Sequence, residues 1–322
     1  MGQLHGIHHI TAIAGNAQEN LDFYAGVLGM RLVKRSVNQD SPGTYHLFYA
    51  DAEGHPGTDL TFFPWPDLPP ARRGVGLGAE ISLAVPPDSL AFWRERLERY
   101  GVTLGEPESR RGERVQPLTD PHGLPLALVE TRDAREFTPW ERSPVPESRQ
   151  ILGLHALRVV ERDLAATADF LTDVLGFRAL GQEGEWHRYG LDHGGSGAHI
   201  EVREQPEGRR GSWGTGSMHH VAWRVPDERA QLEVRDRVQR ASRRPTEVID
   251  RFWFKSVYFI EPGGVLFELA TDGPGFTVDE QLESLGEQLV LPPWLEPHRG
   301  EIEARLPVLR AVDPASANLA RE

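Results

Sequence analysis

From about residue 5 to residue 271 the chain switches repeatedly between two apolar rhythms. Stretches such as RLVKRSV (31–37), TYHLFYAD (44–51) and TDLTFF (58–63) alternate apolar and polar side chains, the pattern of half-buried β-strands. Before them a short strand, HITAIA (9–14), is followed by Leu21, Tyr24, Val27 and Leu28 at helical spacing, which predicts a helix with one buried face. Asn16 with Glu19 makes a capping box at its start, and Gly29 supplies a left-handed cap at its end.

The same order returns. DFYAGVLGMRLV (22–33) and DFLTDVLGFRAL (169–180) share Asp-Phe, Val-Leu-Gly and a following Arg at matching offsets, with LHALRVV before the second copy, Asp163 as its cap and Gly176 at its end. Two weaker copies fill the gaps: EISLAVPPDSLAFWRERLERYGV (80–102) with strands to LALVET, and HVAWRVPDERAQLEVRDRVQRA (220–241) with strands to VLFELAT. Strand, helix, three strands thus occurs four times, an α+β arrangement of four βαβββ modules. One such unit leaves its sheet half closed, so units are expected to pair into two open, mostly antiparallel barrels that enclose a cavity. The Pro- and charge-rich linker REFTPWERSPVPESRQ (135–150) divides the chain: an N-terminal domain at 1–134 (modules 1 and 2), a C-terminal domain at 151–273 (modules 3 and 4), and an extension at 274–322 expected on the surface.

Composition narrows the chemistry. With 322 residues there is length for a sizeable core, and no cysteine among them, which removes thiol nucleophiles, disulfides, iron–sulfur clusters and cysteine-ligated zinc. Any metal must then sit on histidine and carboxylate. A formal charge of −13 argues against nucleic acid or an anionic membrane as partner, since both attract a basic face. No apolar run approaches the roughly 18 to 20 residues of a membrane span, and MGQLHGIHHI lacks a signal-peptide layout, so a cytoplasmic location is expected.

Among 13 histidines, two adjacent pairs open two separate strands, His8-His9 and His219-His220. Successive strand residues point to opposite faces. His220 therefore goes with Ala222 and Arg224, while His219 goes with the apolar Val221, Trp223 and Val225; His9 goes with Thr11, while His8 goes with Ile10, Ala12 and Ala14. His9 and His220 are thus expected to face the cavity. Glu268 interrupts the apolar last strand VLFELAT, where an ionised carboxylate is costly unless paired or bound to a cation. Two imidazoles and one carboxylate with three open positions suit Fe(II) oxygen chemistry, and Mn(II) also fits. The second histidine of each doublet is then a ligand, and the first orients it or lines the pocket edge.

A rival set exists. The aligned slots of the other units hold Glu80 and His155, with Glu201 on the third unit's last strand, although His155 shares its face with bulky Leu157 and Val159. His46, His55, His122, His187, His193 and His199 fall in later strands or turns and are expected to be surface or packing residues. HGGSG (193–197) and EPGGV lack the strand–loop–helix setting of a phosphate loop and are expected to be hairpin turns, and EGRRGSWGTG an ordered connection into the fourth unit. No nucleophile elbow or Ser-His-Asp pattern is present.

LHGIHHIT, NAQENLDFY, GMRLVKRSV, YHLFYADAEGHPGT, GEPESRRGERV, RRGSW, MHHVAWRVPD, EPGGVLFELAT and GFTVDEQLESLG follow one another in an order that resembles ring-cleaving dioxygenases of the vicinal oxygen chelate superfamily. The resemblance is to the branch that opens para-hydroquinones. It implies the vicinal oxygen chelate fold, a small aromatic substrate, O2, and Fe(II) on His9, His220 and Glu268, with His8, Thr11, His219, Arg251 and Tyr258 around the metal or substrate. On this fold a glyoxalase-type isomerase is the alternative enzyme, but it wants a carboxylate on both last strands, and Thr61 holds that slot unless Asp59 moves in. A non-catalytic small-molecule binder is the third reading. Ring substituents, cleavage position and any homo-oligomer stay open.

Overall fold

The computed structural model describes residues 3–192 and 194–312. The first module comprises β1 (Ile7–Ala14), α1 (Ala17–Leu21), β2 (Arg31–Val37), β3 (Tyr45–Ala50) and β4 (Asp59–Pro64). The second comprises β5 (Leu77–Val85), α2 (Leu90–Arg99), two short pieces β6 (Thr103–Leu104) and β7 (Glu108–Arg110), then β8 (Glu113–Thr119) and β9 (Pro125–Glu130). β10 (Gly153–Glu161), α3 (Leu164–Asp169), β11 (Arg178–Glu183), β12 (Trp186–Gly190) and β13 (His199–Glu204) form the third. The fourth runs through β14 (Met218–Val225), α4 (Glu228–Arg240), β15 (Ile249–Asp250), β16 (Lys255–Ile260) and β17 (Leu266–Thr271).

Local signals act as their chemistry dictates. The Asn16 side chain accepts from the N–H groups of Gln18 and Glu19, Asp163 accepts from that of Ala166, and Gly29 and Gly176 take φ of +71° and +83° where the first and third helices end. His122 of the second module accepts the N–H of Asn16 at 3.2 Å, a packing role that ties modules together. One feature departs from the helical expectation: α1 and α3 continue as π-helix over Asp22–Val27 and Phe170–Val174.

Two curled sheets result, ordered β15-β16-β17-β14-β1-β4-β3-β2 and β11-β12-β13-β10-β5-β9-β8-β6, with β7 beside β8. Within a module the first and last strands lie parallel; between modules, first strands meet antiparallel, β1 with β14 and β5 with β10. Module 1 therefore shares a sheet with module 4, and module 2 with module 3. The linker at 135–150 separates halves of the chain but not sheets, since each sheet draws one module from each half. The physical reason is edge pairing: each first strand hydrogen-bonds its own module on one side and needs an antiparallel partner on the other. Helices pack their apolar stripes on the outer faces, as Ala230, Val234 and Val238 of α4 do, while a smaller cluster including Val33, Phe48, Ala222, Trp253 and Phe254 fills the inside of the first sheet.

Where the sheets meet, Glu161 at the end of β10 is fully buried with neither carboxyl oxygen hydrogen-bonded, packed against the turn that joins β16 to β17. A Cβ on Gly263 would lie 1.7 Å from Glu161 Oε2, so this turn needs glycine. Burial first, then the charge of Glu261, push Glu161 up to about 9, against a smaller opposing pull from Arg210. An unfolded glutamate releases its proton near about 4.3. Between the two values unfolding releases a proton, so this contribution to stability is present at acid pH and is lost as pH rises toward 9. Glu161→Gln is expected to match the wild type in denaturant unfolding near pH 5 and to exceed it at pH 9.

Candidate metal centre

The antiparallel seam of β1 and β14 pairs Thr11 with His220 and His9 with Ala222. On either side of this stretch the register slips by one residue, at His8 on β1 and at His219 on β14. Each doublet is thus a β-bulge residue followed by a regular one, and a bulge re-aims a side chain that strict alternation would send through the sheet. His9 and His220 point to the inside of the sheet, as their strand faces predict. Their Nε2 atoms lie 3.3 Å apart, and Glu268 Oε2, from β17, stands 2.9 Å from His220 Nε2 and 3.3 Å from His9 Nε2.

This donor set fits a divalent cation. Bonds of about 2.0–2.2 Å to imidazole nitrogen and carboxylate oxygen, at right angles, set ligand atoms about 3 Å apart. All three side chains are buried, Glu268 completely. Ser256 Oγ donates to Glu268 Oε1 at 2.5 Å, whereas Oε2 carries no hydrogen bond of sound geometry. Burial opposes the Glu268 charge, but His9 and His220 beside it hold the carboxyl well below its usual range. Against the effect of burial, Glu268 in turn pulls the His9 imidazole upward. Two imidazole nitrogens and one carboxylate oxygen thus converge on one point, a set that a divalent cation would complete. Among the described residues, no other cluster of histidines and carboxylates converges this way.

The bulged histidines fix the ligands' rings. His8 Nδ1 lies 2.9 Å from His9 Nδ1, and His219 Nδ1 lies 2.8 Å from His220 Nδ1. Burial, more than any neighbouring charge, lowers His8 and His219 to about 3, so both are neutral. One Nδ1 of each pair must donate to the other, and a proton on His9 Nδ1 leaves its Nε2 lone pair turned inward. His219 stacks on Trp213 at 4.5 Å.

A narrow pocket opens beside the three donors. Phe48, Phe63, Trp253 and Phe254 form its aromatic wall. Arg251 enters from one side, its two Nη atoms 3.2 and 2.9 Å from the Asp40 carboxylate and its guanidinium over the Tyr258 ring at 5.4 Å. Burial and the charge of Glu268 keep the Tyr258 phenol protonated. Thr11 Oγ1 sits 3.0 Å from His220 Nε2. The structure thus gathers His8, Thr11, His219, Arg251 and Tyr258 at one place. It adds His46, expected to be a surface or packing residue, which lines this pocket and bonds Thr61 through Nε2 at 2.8 Å. A signal existed: in TYHLFYAD, His46 and Phe48 lie on the strand face opposite Leu47 and Tyr49.

The family profile described as "Glyoxalase/Bleomycin resistance protein/Dioxygenase superfamily" matches residues 6–128 and 153–269, most of the chain and all four modules. The chain belongs to this superfamily. Three relatives are similar over nearly the whole length. "Putative ring-cleaving dioxygenase MhqO" of Bacillus subtilis (strain 168) is 44% identical, covering 94% of this chain and 95% of its own. "Putative ring-cleaving dioxygenase MhqA" of the same organism is 40% identical, with 94% and 98% covered. "Chlorohydroquinone/hydroquinone 1,2-dioxygenase" of Sphingobium indicum is 31% identical, with 93% and 95% covered. A crystal structure titled as a putative dioxygenase of Bacillus subtilis superposes with a TM-score of 0.90 at 41% identity, covering 97% of this chain and 100% of that one. Glyoxalase I of Zea mays, at 15% identity and a TM-score of 0.62 over 83% of this chain and 92% of its own, shares the fold.

The second sheet of this superfamily member repeats the seam with other side chains. β5 and β10 pair antiparallel with the same two slips, at His155 and at Ala79. By register His155 occupies the slot of His8, not of His9; Ala156 stands where the ligand would be. His155 bonds Ser196 Oγ through Nδ1 and is no member of the converging set, which removes the rival arrangement. Glu80 pairs with Arg110, and Glu201 is held by Arg158 at 2.7 Å and Arg188 at 3.0 Å. Of the remaining histidines, His55 pairs with Asp51, His199 packs edge-on against His155, and His193 lies outside the described residues. EPGGV is a hairpin turn as expected, and the segment around Arg210 and Ser212 pairs with residues 72–75 ahead of the fourth module. Glu201→Ala takes the carboxylate from buried Arg158 and half-buried Arg188 and is expected to cost about 3 kcal/mol in denaturant unfolding, with bound metal per folded chain unchanged.

Proposed function

We propose that this protein is a ring-cleaving dioxygenase that holds Fe(II) on His9, His220 and Glu268 and opens hydroquinone-type aromatic diols with O2. The observation that carries the reading is the convergence of two Nε2 atoms and one carboxylate oxygen beside an aromatic-walled pocket, and the names of the full-length relatives support it. Two imidazoles and a carboxylate on one face leave coordination positions open on the other, the donor set of non-haem Fe(II) oxygen chemistry, with Mn(II) the other candidate.

When bound, Fe(II) supplies Lewis acidity that makes the ring hydroxyl easier to ionise, and a path for electrons between ring and O2. The chain's own groups do the rest. Phe48, Phe63, Trp253 and Phe254 hold the flat ring and exclude water, which strengthens each polar contact inside. Arg251, fixed by Asp40, sets a permanent positive charge on the wall and favours an anionic substrate and any negative charge that develops on it. Tyr258 keeps a protonated phenol in the pocket, and neutral His8 and His219 keep the ligand rings in place. A metal taking the single Nε2 lone pair of His220 would leave the Thr11 hydroxyl free for a neighbouring bound oxygen.

The glyoxalase-type alternative lacks a donor. By register Thr61 of β4 stands in the slot that Glu268 fills on β17, because Thr11 pairs with Thr61 as Ala222 pairs with Glu268. Asp59, the nearest acid, lies one step earlier on the same strand face.

Protein reconstituted with Fe(II) under anaerobic conditions is expected to bind about one metal per chain and to consume O2 with hydroquinone, methylhydroquinone or catechol in an oxygen electrode. His220→Ala and Glu268→Gln are expected to lose the metal and the turnover together. His8→Phe and His219→Phe keep the three donors but release their rings, and metal affinity is expected to fall about 10- to 100-fold. No oxygen consumption with any of the diols by metal-loaded protein overturns the assignment.

A further inference from the structure

The two halves of the first sheet are related by a pseudo-twofold through the β1–β14 seam. His9 answers to His220, Thr11 to Ala222, Thr61 to Glu268 and Phe48 to Tyr258, since Phe48 pairs with Thr61 as Tyr258 pairs with Glu268. Two residues earlier on each strand, His46 answers to Ser256. The hydrogen bonds correspond as well: Ser256 to Glu268 in module 4, His46 Nε2 to Thr61 Oγ1 in module 1. Module 4 uses its pair to hold a carboxylate toward the metal position. Module 1 keeps the same geometry but replaces the charge with a hydroxyl and an imidazole, which offer hydrogen bonds to an uncharged group.

Resting on the dioxygenase reading above, we infer that His46, backed by Thr61, binds the ring hydroxyl that the metal does not hold, and so makes this pocket select para-diols. In a catechol both hydroxyls are adjacent and can share one metal. In a hydroquinone the second hydroxyl lies on the far side of the ring and needs a partner from the protein wall. Of the other polar side chains lining the pocket, Asn38 Oδ1 accepts the Asp40 N–H and Gln39 Nε2 donates to the Arg251 carbonyl. Arg251 is paired with Asp40 through both Nη atoms, and the Tyr258 hydroxyl is within hydrogen-bond reach of Arg251 and Ser256. His46 is different: Nε2 is tied to Thr61, and Nδ1 has no hydrogen-bond partner among the described residues. Its ring is fixed between Phe48 and Phe63, at centroid distances of 3.8 and 4.4 Å, so Nδ1 is presented by a wall that cannot swing away. Burial, more than the nearby imidazoles and Arg251, keeps the ring neutral, with one nitrogen a donor and the other an acceptor. Thr61 Oγ1 in turn meets Thr11 Oγ1 at 2.7 Å, so two hydrogen bonds in line, neither using a metal-donor atom, orient His46.

The test compares anaerobic binding of hydroquinone, catechol and 4-methylphenol to Fe(II)-loaded protein by quenching of tryptophan fluorescence, with steady-state KM and kcat for hydroquinone. His46→Phe keeps an aromatic ring between Phe48 and Phe63 but removes both nitrogens. It is expected to weaken hydroquinone binding about ten-fold and to raise KM for hydroquinone similarly, with catechol and 4-methylphenol within two-fold of wild type and metal content unchanged. His46→Gln, which retains a donor and an acceptor, is expected to recover part of the hydroquinone affinity. Equal weakening of all three ligands shows a merely structural role and overturns the inference, as does unchanged hydroquinone binding in His46→Phe. Wild-type protein that consumes no O2 with any diol sinks the dioxygenase reading itself, an outcome distinct from a working enzyme indifferent to His46.

Discussion

The site depends on one constraint, the doubly bulged antiparallel seam of β1 and β14. A regular strand sends neighbouring side chains to opposite faces, so two adjacent histidines would be separated by the sheet. The slips at His8 and His219 cancel that separation, and each ligand imidazole meets its neighbour's Nδ1 within 2.9 Å. Because the seam is antiparallel, one local device used twice brings two ligands from residues 211 apart to the same point. β17 lies parallel to β14 and puts Glu268 one strand away from the seam, in register with Ala222, whose small side chain leaves the donors room.

The second seam shows what the backbone does when its chemistry is different. Both sheets carry the same slips and the same parallel last strands, yet β5 and β10 bear Glu80 and Arg158 where β14 and β1 bear His220 and Thr11. Glu201 is buried and ionised like Glu268, with burial opposed by Arg158 and Arg188, which hold its carboxyl below the usual range. A guanidinium is permanently charged and fills its own space, so that cluster is complete. Around Glu268 the neighbours are instead the His9 and His220 imidazoles, at 3.3 and 2.9 Å. A buried carboxylate is expensive in folding free energy unless such neighbours meet it, and Glu268 has the Ser256 hydroxyl besides.

Much of this was legible in the chain itself. The four modules, their caps, the ligand face of each doublet and the need for Glu268 follow from period-two and helical spacing, from Asn16 and Asp163, and from one acid in an apolar strand. The pairing of modules 1 with 4 and 2 with 3 was not, because strand–strand partnership is settled by long-range register that no local window contains. The slot of His155 differs by one residue from the alignment for a related reason: counting along a strand assumes strict alternation, and a bulge breaks the count. Strand alternation in TYHLFYAD puts His46 on the face of Phe48, but the pseudo-twofold correspondence with Ser256, which supports Glu268, is long-range and has no local signal. The π-helical turns after α1 and α3 likewise have no distinct signal in apolar spacing.

The extension after the fourth module, expected to lie on the surface, is part of the pocket's construction. Residues 250–254 carry Arg251, Trp253 and Phe254 into the wall, and Phe252 among them has φ of +75°, a left-handed conformation costly for an aromatic residue. Such a loop persists only if its surroundings fix it. Gln39 donates to the Arg251 carbonyl at 2.9 Å, Gly275 donates to the Trp253 carbonyl at 2.8 Å, and the Trp253 indole reaches the Asp279 carboxylate at 3.1 Å. Asp279 is held by Lys34, which is fully buried inside module 1, 2.7 Å from Asp279 and also bonded to Glu280 and to the Phe276 carbonyl. A lysine with no access to water is stable only with such partners. The charge that secures it also secures the indole of the pocket wall, so the shape of the site is set jointly by module 1, by the strained loop of module 4 and by the segment that follows them.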